Sequence, residues 1–287
     1  PAIRSTGIAC WLALCLAAPL AMATPLDDAK DAAAEGRYRE AADLYAELVA
    51  ADPEAREPLL GLAEAVTHGQ RWDLFQAVEE PLQAFHEAHR DDLEVRLALG
   101  RLFEARAESV REELEQKVLR SRAQAHYLGL VDVAPEVEGA AVGLARVLHA
   151  QGEGTKAIEA LDRYVNLRPK EAAAALSWKG RILYEAGKVR HQADGGGYPL
   201  SQEAHRLYAR SQGACLSSAM ADPSSFDTWM HLAWASTVLG DRETAHQAYE
   251  KAYAIDPESP QPLQGMTGSD QIHRLAASRR GEWHTLD

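Results

Sequence analysis

The chain has 287 residues, 46% of them apolar and 25% charged, a balance that supports a buried core and sets it apart from disordered chains. Acidic residues outnumber basic ones 43 to 30, for a formal charge of −13, so no overall field attracts DNA, RNA or an anionic surface and no nucleic-acid partner is expected. Three cysteines are too few for a disulfide scaffold of this length, and 20 Gly with 13 Pro too few for a collagen-like or low-complexity chain.

Residues 1–23 carry one charge, Arg4, then an apolar run from Gly7 to Leu20 and the small-x-small triplet Ala21-Met22-Ala23. This is the layout of a secretory signal peptide, with cleavage expected after Ala23 and a mature chain from Thr24. The run of about 14 residues falls short of the roughly 20 that span a bilayer as a helix, so no stable span is expected after cleavage; an uncleaved anchor is the alternative. Lipidation is disfavoured, because Leu14 before Cys15 is large and the run before Cys10 is short. Cleavage leaves Cys215 alone, read as a buried small apolar residue. The expected location is periplasmic or secreted.

A recurring pattern organises the rest. One window reads Trp229-x2-Leu232-Ala233-x2-Ser236, then Gly240, then Ala245-x3-Tyr249-x2-Ala252-x4-Pro257. A second reads Leu144-Ala145-x2-Leu148, Gly152, Ala157-x3-Leu161-x2-Tyr164-x4-Pro169, and a third Gly36, Ala41-x3-Tyr45-x2-Leu48-x4-Pro53. Gly suits a tight turn, and Pro cannot continue a helical hydrogen-bond ladder. No clean period-two alternation argues for a strand.

These windows resemble tetratricopeptide (TPR) repeats, units of about 34 residues that fold as antiparallel helices A and B. The resemblance implies an all-α fold: a right-handed superhelical solenoid of about six helix pairs with a C-terminal capping helix, stacked as one array. Alignment on the anchors gives repeats 22–55, 56–89, 93–137, 138–171, 173–225 and 226–259, so the solenoid spans 24–259 and a tail spans 260–287.

In chain order, the first repeat is in phase mainly in its second helix. The second carries Trp72, Phe75, Val78, Leu82 and Phe85 at helical spacing, with Pro81 expected to kink or break it. The third has 11 extra residues between its helices; Ser109-x-x-Glu112 reads as a capping box opening a long second helix from about Val110 to Val133, projecting about 16 Å. The fifth has 19 extra residues, with a Gly195-Gly196-Gly197 loop and Ser201 capping a helix to Met220. These insertions either decorate a binding face or are merely tolerated at the edge. In the tail, a turn is expected at 265–268 and a capping helix from Asp270 to about Arg279, N-capped by Ser269. Trp283 is a docking anchor or packs on the last helix.

By the same resemblance, helix A lines the concave groove. Its ninth position reads Lys30, Glu64, Arg101, Arg146, Arg181, Trp234; its fifth includes Leu97, Val142 and Met230; its twelfth includes His149 and Tyr184. Arg101, Arg146 and Arg181 form a ladder suited to capturing carboxylates, with an apolar stripe and two aromatic anchors, Tyr184 and Trp234, beside it. The competing reading is internal pairing, Arg101 with Glu104 and Arg181 with Glu185. The Lys and Asn set of the carboxylate-clamp members of the family is absent.

Chemistry-bearing motifs are lacking. His86-Glu87-x-His89 is one residue short of zinc-protease spacing, and there is no Cys-x-x-Cys, phosphate-binding loop or nucleophile elbow. Trp72, Trp178 and Trp229 are assigned to the core. The expectation is therefore a non-catalytic adaptor, without cofactor or metal, that binds a peptide or protein, with an acidic one favoured. A glycan or small polyanion in the same groove is the alternative. An enzyme acting through the inserted helices is a third class.

Overall fold

A computed structural model describes residues 24–268. Among them every regular element is helical, in the order α1 (Pro25–Ala34), α2 (Tyr38–Ala51), α3 (Arg56–Gly69), a single 3-10 turn (Trp72–Leu74), α4 (Phe75–Ala88), α5 (Leu93–Ser109), α6 (Glu113–Val133), α7 (Glu138–Ala150), α8 (Gly154–Leu167), α9 (Ala173–Ala193), α10 (Gln202–Ala221), α11 (Phe226–Leu239) and α12 (Arg242–Ile255). This is the all-α helix-pair architecture expected. The signal segment and its cleavage site, the Ser269-capped helix and Trp283 lie outside the described residues.

Local chemistry sets the ends. Thr24 and Asp27 form a reciprocal capping box, with Pro25 at the first helical position, where its missing N–H is harmless. Asp92, Ser201, Ser225 and Asp241 accept backbone N–H bonds at the starts of α5, α10, α11 and α12. Gly36, Gly152 and Gly240, the turn glycines of the three sequence windows, have φ of 74°, 81° and 80°, a region open to Gly at no steric cost. Pro81 lies inside α4, where it removes one rung of the helical ladder.

The described chain forms two compact units, the first ending at Arg71 and the second beginning at Trp72. The boundary falls within the stretch assigned to the second repeat, between the left-handed residue Gln70 and the 3-10 turn. In the first unit α1, α2 and α3 pack on one another through Ala29, Ala32, Ala41, Ala42, Tyr45 and Leu59. In the second unit each helix packs on the next, and α5, α7, α9 and α11 also touch in turn, forming one layer of A helices.

The insertions differ in detail from the expectation. Ser109 does not open α6; it ends α5, and its hydroxyl donates to the Arg106 carbonyl. The N-cap of α6 is Glu112, with no side-chain cap bond. The extra length is therefore shared by both helices, 17 and 21 residues against 14 in most others, and the overhang of α6 is about 10 Å rather than 16. In the fifth repeat α9 has 21 residues and α10 has 20, joined by the glycine loop, and Ser201 caps α10 as its spacing requires.

The tail is also corrected. Residues 261–268 are helical, not a turn. A Cβ at Gly265 would come within 2.2 Å of the Tyr249 ring, and Met266 packs on the core cluster of Met230, Leu232, Ala233 and Tyr249. The cover of the last pair thus starts earlier than the sequence pattern suggests.

Candidate functional site

The A-helix layer of the second unit carries a continuous line of polar and aromatic side chains. On α5, Glu104 is only 4% exposed and accepts hydrogen bonds from Tyr127 Oη at 2.7 Å and Arg146 Nε at 2.6 Å. Burial is the largest influence on this carboxyl and pushes it above the usual carboxylate range, against the pull of Arg146 and Tyr127. Burial likewise pushes the Tyr127 phenol upward, reinforced by Glu104. The triad ties α5, α6 and α7 together.

Glu104 therefore pairs with the arginine of the next A helix and not with Arg101 of its own. Arg101 is exposed and has no ion pair among the described residues. Its Nη2 lies 3.1 Å from where a Cβ on Gly139 would stand, with Leu97 beside it.

On α9 the indole of Trp178 meets two guanidiniums, Arg146 at 5.6 Å and Arg181 at 4.7 Å from its ring centre. Arg181 Nε donates to Glu185 Oε1 at 3.3 Å, the intrahelical pairing the spacing allows. The other Glu185 oxygen meets His149 Nε2 of α7 at 3.0 Å. Burial pushes the Glu185 carboxyl up, but His149 and Arg181 outweigh it and hold it below the ordinary range.

Beyond lies an aromatic group. Tyr184 stands 5.9 Å from Trp234, 6.2 Å from His231 and 5.6 Å from Tyr208 between ring centres, and His231 meets Trp234 at 5.0 Å. His231 Nδ1 is 2.7 Å from the Asp227 carbonyl, which assigns it the ring proton; burial lowers its basicity.

Seven of the nine groove residues named from the sequence thus lie on one partly exposed line: Leu97, Arg101, Arg146, His149, Arg181, Tyr184 and Trp234. Two do not. Met230 is 1% exposed within the core cluster and Val142 is 8% exposed, because the fifth helical position faces the neighbouring helix there rather than solvent. Conversely Trp178, assigned to the core, is a half-buried member of the line, as are Glu185, named from the sequence only as a partner for Arg181, and His231, which the repeat positions did not select. Trp72 and Trp229 are also only partly buried; Trp229 Nε1 donates to the Pro223 carbonyl at 2.9 Å. In the first unit Lys30, the ladder's first position, pairs with Glu57. Among the described residues no group of three or more His, Cys, Asp or Glu is placed to hold a metal ion, and no helix is long and apolar enough to cross a membrane.

Known folds give the same architecture. The chain aligns with the crystal structure of PilW, a widely conserved type IV pilus biogenesis factor, at a TM-score of 0.57 and 15% identity, over 84% of this chain and 96% of that one. It aligns with human IFIT1 in a structure with Gppp-AAAA at a TM-score of 0.56 and 15% identity, over 92% of this chain and 56% of that one. A thermophilic TPR protein of Thermus thermophilus, TTC0263, aligns at 0.45 and 14% identity, over 86% and 96%. At such identities the likeness to PilW and IFIT1 is one of fold. A search of curated protein sequences gives no match. Tetratricopeptide-repeat profiles, however, match residues 26–80 and 119–172, and another matches 226–259, the sixth repeat read from the sequence. These matches fall on the helix pairs whose turn glycines and buried tyrosines define the repeat register, and the chain belongs to the tetratricopeptide-repeat family.

Proposed function

We propose that this protein is a non-catalytic interaction scaffold whose second unit receives a segment of a partner protein along its A-helix layer. The observation that carries the reading is the line from Arg101 to Trp234: cationic, aromatic and partly exposed, on four consecutive A helices. Half-buried Trp and Tyr beside charged groups are the side chains that dominate protein interfaces. Arg101, exposed and unpaired among the described residues, supplies a contact for a carboxylate of an acidic partner. Arg146 and Arg181 already face Glu104 and Glu185, which weighs against a polyanion or charged glycan as the ligand. The signal-peptide layout of residues 1–23 supports export, so the partner is sought in the cell envelope or outside it.

The test is cross-linking and affinity capture from an envelope fraction with the chain from Thr24, alongside Arg101→Ala and Trp234→Ala. A partner that binds the wild type and is lost with both variants, each still folded by circular dichroism, is the expected result. Equal capture by all three moves the site off this face.

A further inference from the structure

The repeat pattern calls for an apolar layer between one helix pair and the next, but between α4 and the α5–α6 pair the layer is largely polar. α4 buries only Val78 and Leu82. The rest of the seam is built of rings and cations. Arg106 lies over Trp72 and Phe75 at 5.7 and 5.5 Å, and Phe75 meets Phe103 edge-on at 6.2 Å. Arg122 covers the Phe103 ring at 4.0 Å and pairs with Glu79 at 2.5 Å. His126 stacks on Phe103 at 5.6 Å, and His86 of α4 meets His126 edge-on at 5.7 Å. Arg96 stands where the repeat calls for a large apolar residue. Its guanidinium presses on Gly129 so closely that a Cβ there would fall within 1.6 Å of Nη2. His86 Nδ1 and Arg96 Nε are buried without a hydrogen-bond partner among the described residues. A helix held this way depends on both imidazoles staying neutral.

We infer that this seam is an acid-sensitive joint, at which protonation of His86 or His126 loosens α4 from α5 and α6. The charges that meet such a proton are mostly of its own sign. Around His126 stand His86, Arg96 and Arg122, the last already shared with Glu79. Around His86, Arg96 and Arg90 oppose a proton, while Glu87 and Asp92 partly offset them. Burial is the largest influence on both rings; with these charges it lowers His126 from 6.5 to about 4 and His86 in the same direction.

The sign follows from linkage. Near neutral pH both rings are uncharged and the joint is closed. A detached α4 exposes rings that take up protons near their ordinary value, so the open form gains as pH falls from about 6.5 toward 4. His126 alone raises the open-to-closed ratio about 30-fold at pH 5.0 relative to pH 7.5.

Hydrogen–deuterium exchange of the full chain at pH 7.5 and 5.0, corrected for intrinsic rates, tests this joint. Residues 75–88 are expected to lose protection about 30-fold at pH 5.0 while α8, which has no histidine, keeps its own. His126→Phe keeps a ring on Phe103 but cannot be protonated, and should shrink that loss by at least about 10-fold. Equal protection of α4 at both pH values, an equal loss in α8, or an undiminished loss in the variant overturns the inference. An imidazole NMR titration of the wild type gives a check independent of the variant's folding. Depressed titration of both rings supports the joint, and ordinary titration with α4 still protected refutes it.

Discussion

The ring of Tyr249 in α12 occupies the space that a Cβ of Gly265 would need, its Cε1 only 2.2 Å from that point. Tyr45 stands in the same relation to Gly61, at 2.4 Å, and Tyr127 to Gly143, at 2.3 Å. In each pair a tyrosine from helix B is followed 16 residues later by a glycine in the next A helix. The repetition identifies residues 261–268 as the start of another A helix in register, which covers the last pair.

This seating has a stability consequence. Gly→Ala inside a helix ordinarily gains up to about 1 kcal/mol. At Gly143 the new methyl meets the Tyr127 ring, fixed by its bond to Glu104, so Gly143→Ala should destabilise by about 1–3 kcal/mol. Gly213 in α10 has nothing within 4 Å of that point, so Gly213→Ala should stabilise. Urea denaturation of the two variants against wild type checks the opposite signs.

The three ladder arginines should separate on substitution. Arg146→Ala leaves a buried carboxylate without its charged partner and should lower stability by about 1–3 kcal/mol. Arg181→Ala loses a long, half-exposed ion pair and a ring contact and should lower it by less than about 1 kcal/mol. Arg101→Ala should change it by under about 0.5 kcal/mol. Arg101 is therefore the clean probe of binding, and thermal melts of the single variants establish the order.

The inserted hairpin of the fifth repeat rests on its cap. Ser201 accepts the Ala204 N–H at 3.2 Å and also donates to Asp194. Ser201→Ala should lower stability by about 1 kcal/mol, with faster amide exchange confined to the first turn of α10. Unchanged exchange there would show that the cap is dispensable.

Cys215 is fully buried between α9 and α11, and burial pushes its thiol up to about 12. At pH 8 it carries almost no thiolate, so a disulfide reagent should leave it unmodified in the folded protein and react promptly in guanidinium. Rapid reaction of the native chain at Cys215 would contradict this burial.

Much of the fold is legible because the repeat is local. Gly36, Gly152 and Gly240, the prolines after helix B and the N-cap Ser201 act within a turn or two, so their spacing alone places helix ends. The Ser109 capping box failed because α5 runs to Ser109 and its hydroxyl turns back to Arg106, leaving nothing to cap α6. The turn expected at 265–268 failed because its glycine reads locally as a breaker, whereas its role is to seat a ring 16 residues away. The recurrence of Tyr with Gly 16 residues on is the sequence signal that marks it.

The site divides in the same way. Repeat positions picked out seven residues that the structure leaves partly or fully exposed on A helices. They did not place Met230 and Val142, whose burial depends on how closely neighbouring helices approach. By itself, then, the sequence determined an all-helical chain of repeated pairs and most of its turns, since propensity, capping and turn chemistry act over a few residues. Only the tertiary structure decided that Glu104 serves Arg146, 42 residues on, that Trp178 meets two guanidiniums, and that His86 and His126 share a seam. Such pairings depend on the angle and distance at which helix pairs stack, and no local pattern fixes those.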